Sequence, residues 1–193
     1  MVIGVTGKYC SGKNIITRLI AARNFTEIDV DTIGHEVLSQ KSREVIASFG
    51  QKITDADGSI NRRKLGRIVF ADKKKRQALE RLLHPEMTEL IKQQILLYKN
   101  AVINAALLFP MKLDSLCDAV IIVRSPLIQR IFRAKKRDRL DFCEIIKRFL
   151  SQLKILSNKT TGNVDIYNVD NRFDEIACAV QLENIMKNLS SDF

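Results

Sequence analysis

Gly7, Gly12 and Lys13 stand in the spacing Gly-x4-Gly-Lys, and those three residue types at that spacing can hold a phosphate. Glycine permits backbone angles that a side chain forbids, so successive N–H groups can turn inward around an anion while the Lys13 ammonium reaches its outer oxygens. The candidate nucleotide contacts are therefore Gly7, Cys10, Ser11, Gly12, Lys13, Asn14 and Ile15. The position after the lysine, where Ser or Thr commonly meets a magnesium ion, is Asn14. It is the candidate metal residue, through an amide oxygen alone.

Chemistry on a bound phosphate also needs a carboxylate to orient the attacking hydroxyl and cations to neutralise the moving group. Asp31, in the run Ile28-Asp29-Val30-Asp31, is the candidate proton acceptor. A second reading makes it the N-cap of the helix that follows, and the two roles are compatible. Asp29, on the same strand face in this reading, is the weaker candidate. Arg133 and Arg137 lie four apart, so one helix face would present both to a transferring phosphoryl group, and Arg148 could join them. Arg62, Arg63 and Arg67 are candidates for further phosphates of a substrate. His84 before Pro85 could line that pocket or serve as a structural cap, and His35 reads as structural.

These residues need elements to place them. Val2, Ile3, Val5 and Thr6 predict a strand entering the glycine loop, and Ile15 to Ala22 a helix whose positive end faces the same anion. Phe25 to Ile28 predicts a second strand and Thr32 to about Ser39 a helix. From 42 to 98 there is helical periodicity with a turn at Asp57-Gly58, caps at Asn61 and Asp72, and a helix break at His84-Pro85. The apolar runs Ala101 to Phe109 and Ala119 to Val123 predict buried parallel strands. Pro126 opens a helix, Phe142 to Leu153 forms another, and this basic pair reads as a lid. Ser157 to Asn163 is a loop, Val164 to Val169 the last strand, and Phe173 to Leu189 a terminal helix. Strands alternating with helices predict an α/β domain with a parallel sheet. Its parts are a core (1–41, 99–124 and 154–193), a helical substrate lobe (42–98) and a lid (125–153).

The chain has 193 residues with 46% hydrophobic, enough for one core. Its net charge of +10 is concentrated. Residues 62–76 carry eight Lys/Arg against Asp72, and 124–148 carry nine against Asp138, Asp141 and Glu144. Two compact basic segments beside a phosphate loop fit a polyanionic small molecule better than a nucleic acid, since aromatic residues, the stacking platforms of single-strand binders, are sparse at 6%. Cys10, Cys117, Cys143 and Cys178 are scattered without paired spacing, which argues against disulfides or zinc and for a reducing cytoplasm. No apolar run approaches the roughly 20 residues of a membrane span. Asn158-Lys159-Thr160-Thr161 lacks the aspartate of a guanine-reading motif and reads as a loop. A soluble monomer is expected.

With these parts in place the chain resembles the dephospho-CoA kinase family along nearly its whole length. The resemblance is carried by Val5-Thr6-Gly7 with Ser11-Gly12-Lys13, by Ile28-Asp29-Val30-Asp31, and by Asp57-Gly58-Ser59-Ile60-Asn61-Arg62 with Leu65, Val69 and Phe70. Leu82-Leu83-His84-Pro85, Leu107-Leu108-Phe109, Arg137-Asp138 and Arg148 with Gln152 continue it. It implies a three-layer P-loop kinase fold with a helical substrate-binding insertion and a helical lid. It also implies ATP with Mg²⁺, and transfer to the ribose 3′-hydroxyl of dephospho-CoA. The departures are Asn14 for Ser or Thr, Ala106-Leu107-Leu108-Phe109-Pro110 for Pro-Leu-Leu-Phe-Glu, and a blurred Ala-Asp-x-x-Ile-x-Asn ending between Val164 and Asn171. Either Asn168 or Asn171 would approach adenine. Another small-molecule kinase, for a nucleoside or nucleoside monophosphate, and a nucleotide- or CoA-binding protein without activity are the alternatives.

Overall fold

A computed structural model describes residues 1–138 and 164–191. In chain order the elements are β1 (Val2–Gly7), α1 (Lys13–Ala21), β2 (Thr26–Asp29), α2 (Val30–Gln40), α3 (Ser42–Phe49), α4 (Arg62–Ala71) and α5 (Lys73–Leu96). They continue with β3 (Ala101–Asn104), β4 (Ala119–Arg124), α6 (Leu127–Asp138), β5 (Asp165–Asp170) and α7 (Glu175–Ser191). They fall into two compact units, residues 30–93 and the remainder of the chain.

The larger unit holds a five-stranded sheet in the order β2-β3-β1-β4-β5, parallel throughout. Strands buried on both faces need apolar residues at every position, and Ala101, Val102 and Ile103 are fully buried, as are Ala119, Val120 and Ile121. On one face α1 contributes Ile16 and Ile20, four apart, and α7 contributes Cys178, Leu182, Ile185 and Leu189 to a core with Ile3, Val5 and Val169. Each such aliphatic contributes about 1.5–3 kcal/mol on burial, several times an exposed ion pair such as Arg18–Glu175. After β1 the chain visits one side of it through β2 and β3, then the other through β4 and β5. Open α/β sheets bind ligands at the carboxyl ends of their strands where the order reverses, and the glycine loop occupies that place.

β3 is shorter than the expected strand Ala101 to Phe109. Pairing of β1 with β3 ends at Val5↔Asn104, and β2, on the other side of β3, ends at the same level with Asp29↔Asn104. The apolar residues beyond it form a buried turn: Leu108 and Phe109 are buried, and Leu108 packs where Gly4 leaves room.

In the smaller unit, Asn61 Oδ1 accepts a hydrogen bond from Lys64 N at 2.9 Å, capping α4. Asp72 Oδ1 accepts from Lys74 N at 2.8 Å and Lys75 N at 3.2 Å at the start of α5. Both caps match the sequence reading. The helix break at Pro85 does not occur, for α5 runs unbroken through it. A helix-interior proline costs about 3 kcal/mol, and burial of Leu83, Met87 and Ile91, four apart on both sides of it, outweighs that. The Asp57-Gly58 turn is closed by a bridge between Thr54 and Ile60 and by Asp57 Oδ1, which accepts from Ser59 N and Oγ.

The basic helix after Pro126 is α6. The expected helix Phe142 to Leu153, the loop Ser157 to Asn163, Arg148 and Cys143 lie outside the described residues. Among those described, no helix is long and apolar enough to cross a membrane.

Candidate active site

The loop between β1 and α1 closes with a hydrogen bond from Ser11 N to Lys8 O at 3.0 Å. Gly12 has φ +95°, in the left-handed region, and a Cβ there would collide with the Asn171 amide. Gly7 is required by close approach: a Cβ would meet Val123 O at 2.5 Å and Ser11 Oγ at 2.6 Å. α1 begins at Lys13 with no side-chain cap, Ile15 N donates to Gly12 O at 3.0 Å, and the positive end of the helix dipole faces the loop, where it favours an anion. Lys13 Nζ arches back over the loop to Gly7 O at 3.4 Å. Thr6 Oγ1 and Ser11 Oγ are buried and have no hydrogen-bond partner among the described residues. A glycine cradle with orphaned hydroxyls and an uncapped helix start fits a nucleotide's phosphates.

Two elements distant in sequence hold the loop. Asn171, at the end of β5 and 2% exposed, donates Nδ2–H to Ser11 O at 2.9 Å. Its Oδ1 and backbone O accept from Arg133 Nη2 at 3.2 and 3.1 Å. Arg133 Nη1 donates to Ser125 Oγ at 3.0 Å and to Ser11 O at 3.3 Å. Of the two asparagines expected near adenine, Asn168 is exposed on β5, whereas Asn171 is buried against the loop. Arg130, one turn before Arg133, is buried and donates Nε–H to Tyr9 O at 2.8 Å. Burial pushes its pKa down, and the neighbouring Cys10 thiol opposes that. Cys10 has φ +57° and packs with Tyr9 and Ile131 against Ala134.

On the other side of the loop lies a run of polar side chains. Asn104, last residue of β3, donates Nδ2–H to Asn14 Oδ1 at 3.3 Å and to Glu27 Oε1 at 3.0 Å. Mg²⁺ takes oxygen ligands and is usually held by one or two carboxylates together with substrate phosphates. One carboxylate and two amides beside Lys13 fit that description. Among the described residues no cluster of three His, Cys, Asp or Glu forms a self-sufficient metal site.

In the smaller unit, Asp31 lies in the first turn of α2. This corrects its placement at a strand end: β2 stops at Asp29, Val30 is already helical, and Asp31 is inside the helix rather than its N-cap. Arg62, Arg63 and Arg67 are exposed in the first two turns of α4. His84 is half-buried in α5. Its pKa is lowered by burial, and Glu80 one turn earlier pulls the other way.

The family model described as CoaE, dephospho-CoA kinase, matches residues 1–174. The chain belongs to the dephospho-CoA kinase family. A dephospho-CoA kinase from Borrelia garinii is 32% identical over 98% of this chain and 94% of its own length. One from Borreliella burgdorferi is 38% identical over 65% of this chain, and that match spans 62% of the relative, under two thirds of its length. The solved structure of a dephospho-CoA kinase from Campylobacter jejuni superposes with a TM-score of 0.68 at 22% identity, covering 99% of this chain and 98% of that one, and shows the fold. The protein is a kinase of the P-loop fold.

The larger unit brings together Gly7 to Asn14 and Arg133. Arg137 lies on α6 one turn after Arg133. The sequence reading passed over Asn104, Glu27 and Arg130 as site residues. Asn104 carried one available signal, an uncharged polar residue closing an apolar strand run beside the loop strand; Glu27 and Arg130 carried none, being one acid and one base among many.

Proposed function

We propose that this kinase transfers the γ-phosphoryl group of ATP to the ribose 3′-hydroxyl of dephospho-CoA, releasing CoA and ADP. The observation that carries the reading is the loop of Gly7 to Lys13 with its uncapped helix start, in a chain of this family. Backbone N–H groups of Gly7 to Asn14 and the Lys13 ammonium bind the β- and γ-phosphates, and Ile15 continues the contact along α1. Asp31 orients the acceptor hydroxyl and takes its proton as the new P–O bond forms and the bond to the β–γ bridging oxygen breaks. Arg133 keeps the loop and α6 together, and Arg133 and Arg137 offset charge on the group in flight. Arg62, Arg63, Arg67, His84 and Arg148 take the coenzyme's phosphates and pantetheine side. Residues 42–98 thus act as the substrate lobe and 125–153 as the lid, in a cytoplasmic monomer. Mg²⁺, when bound, neutralises the phosphates and fixes their orientation, and Asn14 and Asn104 are the amides that would face it.

The test is product mass after incubation with ATP, Mg²⁺ and either dephospho-CoA, a nucleoside or a nucleoside monophosphate. Gain of one phosphoryl group on dephospho-CoA alone is the expected result. Transfer to a nucleoside instead would move the chain to another kinase class, and nucleotide binding without transfer would make it a binding protein.

A further inference from the structure

P-loop proteins commonly hold Mg²⁺ with a hydroxyl directly after the loop lysine and an aspartate on a neighbouring strand. Here the first position is Asn14, and β3, the strand beside β1, ends in Asn104. Both are neutral. Glu27 is opposite Val102 in the sheet register, and Asp29 is the residue opposite Asn104. Yet the hydrogen bond that reaches Asn104 comes from Glu27, whose carboxylate extends two positions along the sheet toward the loop end. The Asn104 N–H₂ group, 7% exposed as a residue, therefore sits between Glu27 Oε1 and Asn14 Oδ1. It places a partial positive charge between two oxygens. No Lys or Arg among the described residues pairs with Glu27, although the protein carries a net charge of +10.

From this arrangement, and resting on the kinase reading above, we propose that Glu27 is the carboxylate that positions the magnesium ion, replacing across the sheet the charge that β3 lacks. Asn14 would face the nucleotide's Mg²⁺, and Asn104, hydrogen-bonded to both Asn14 and Glu27, would relay the Glu27 charge to it. The proposal has a sign that a merely structural role lacks. Without metal, Glu27 would repel the nucleotide's phosphates; with metal, it would attract the bound cation.

The experiment titrates a non-hydrolysable ATP analogue calorimetrically into the full chain, first in EDTA and then across a Mg²⁺ series. Glu27→Gln is expected to bind the metal-free analogue as well as or better than the parent. It should also need about tenfold more Mg²⁺ for the same gain in affinity, the scale of loss seen when supporting groups around a metal are removed. Adding Asn104→Asp to Glu27→Gln should restore most of that gain by returning the charge to β3. An unchanged Mg²⁺ requirement in Glu27→Gln would overturn the proposal, and so would equal weakening in EDTA and Mg²⁺, the mark of a strut. Failure of the double variant to recover, or a loss confined to Asp29→Asn, would overturn it too. If the parent chain binds no analogue under either condition, the kinase reading itself fails, an outcome separate from all of these.

Discussion

Asp31 tests the chemistry of the site one residue at a time. Replacing it with asparagine keeps its size and removes its ability to accept a proton. Turnover of Asp31→Asn should therefore fall at least about 10²-fold while nucleotide affinity measured calorimetrically stays within error. The first-turn position adds a stabilising interaction with the helix dipole of about 0.3–1 kcal/mol, so only a small drop in unfolding midpoint should accompany the loss. Normal turnover would reduce Asp31 to that structural part. Cys10 gives a second residue-level test. Burial pushes the Cys117 thiol up to about 12 and the Cys178 thiol up as well, which keeps both unreactive at neutral pH. Cys10 is half-exposed in the phosphate loop with Arg130 beside it. Peptide mass mapping after alkylation should show Cys10 labelled before those two and protected by ATP; equal labelling with and without ATP would contradict its place at the site. The loop was legible in the sequence because its three determining residues lie within seven positions. Asn104 with Glu27, and Arg130 with Tyr9, were not, since those contacts span 77 and 121 positions and no local pattern encodes them.

At the scale of elements, β5 reaches the loop through the buried Asn171 amide, and α6 reaches it through Arg133 and Arg130. Asn171→Ala leaves Ser11 O and the Arg133 guanidinium short of a partner, a change that costs about 1–3 kcal/mol when the groups are buried. Denaturant unfolding should show that loss, and nucleotide binding should weaken with it. Asn168→Ala, on the exposed side of the same strand, should change stability by no more than about 0.5 kcal/mol. Equal effects from both would remove Asn171 from the loop's support. Element types were largely readable from apolar periodicity and caps, and Asn61 and Asp72 cap α4 and α5 as their sequence context implies. Two boundaries were not. Pro85 signals a break locally, but packing of Leu83, Met87 and Ile91 carries α5 through it. The run Ala105 to Phe109 has strand composition, but β2 ends opposite Asn104 and the chain turns there into the buried segment that holds Leu108 and Phe109.

At the scale of the molecule, pH acts on stability through His84. Its folded pKa lies below the unfolded value near 6.5, so the unfolded chain binds more protons in acid. The stability that depends on a neutral His84 is complete above pH 6.5 and is lost as pH falls through the lower folded value. His84→Gln should flatten the slope of unfolding free energy against pH in that window and leave it unchanged above pH 7. A slope that persists would place the pH dependence elsewhere. The sheet order is a property of the whole molecule, and alternation of strands and helices implied only that the sheet is parallel. That β1 lies between β3 and β4, which sets the loop at the reversal of strand order, follows from pairings that sequence periodicity does not state.

The most direct measurement is ATP-dependent turnover of dephospho-CoA by the parent chain and by Lys13→Ala, each followed by product mass alongside its thermal unfolding midpoint. The account predicts phosphorylated product from the parent, none detectable from Lys13→Ala, and midpoints within a degree or two, because Lys13 reaches over the loop and takes no part in the core. Normal turnover by Lys13→Ala, or a parent chain that binds ATP and never transfers its phosphoryl group, would contradict it.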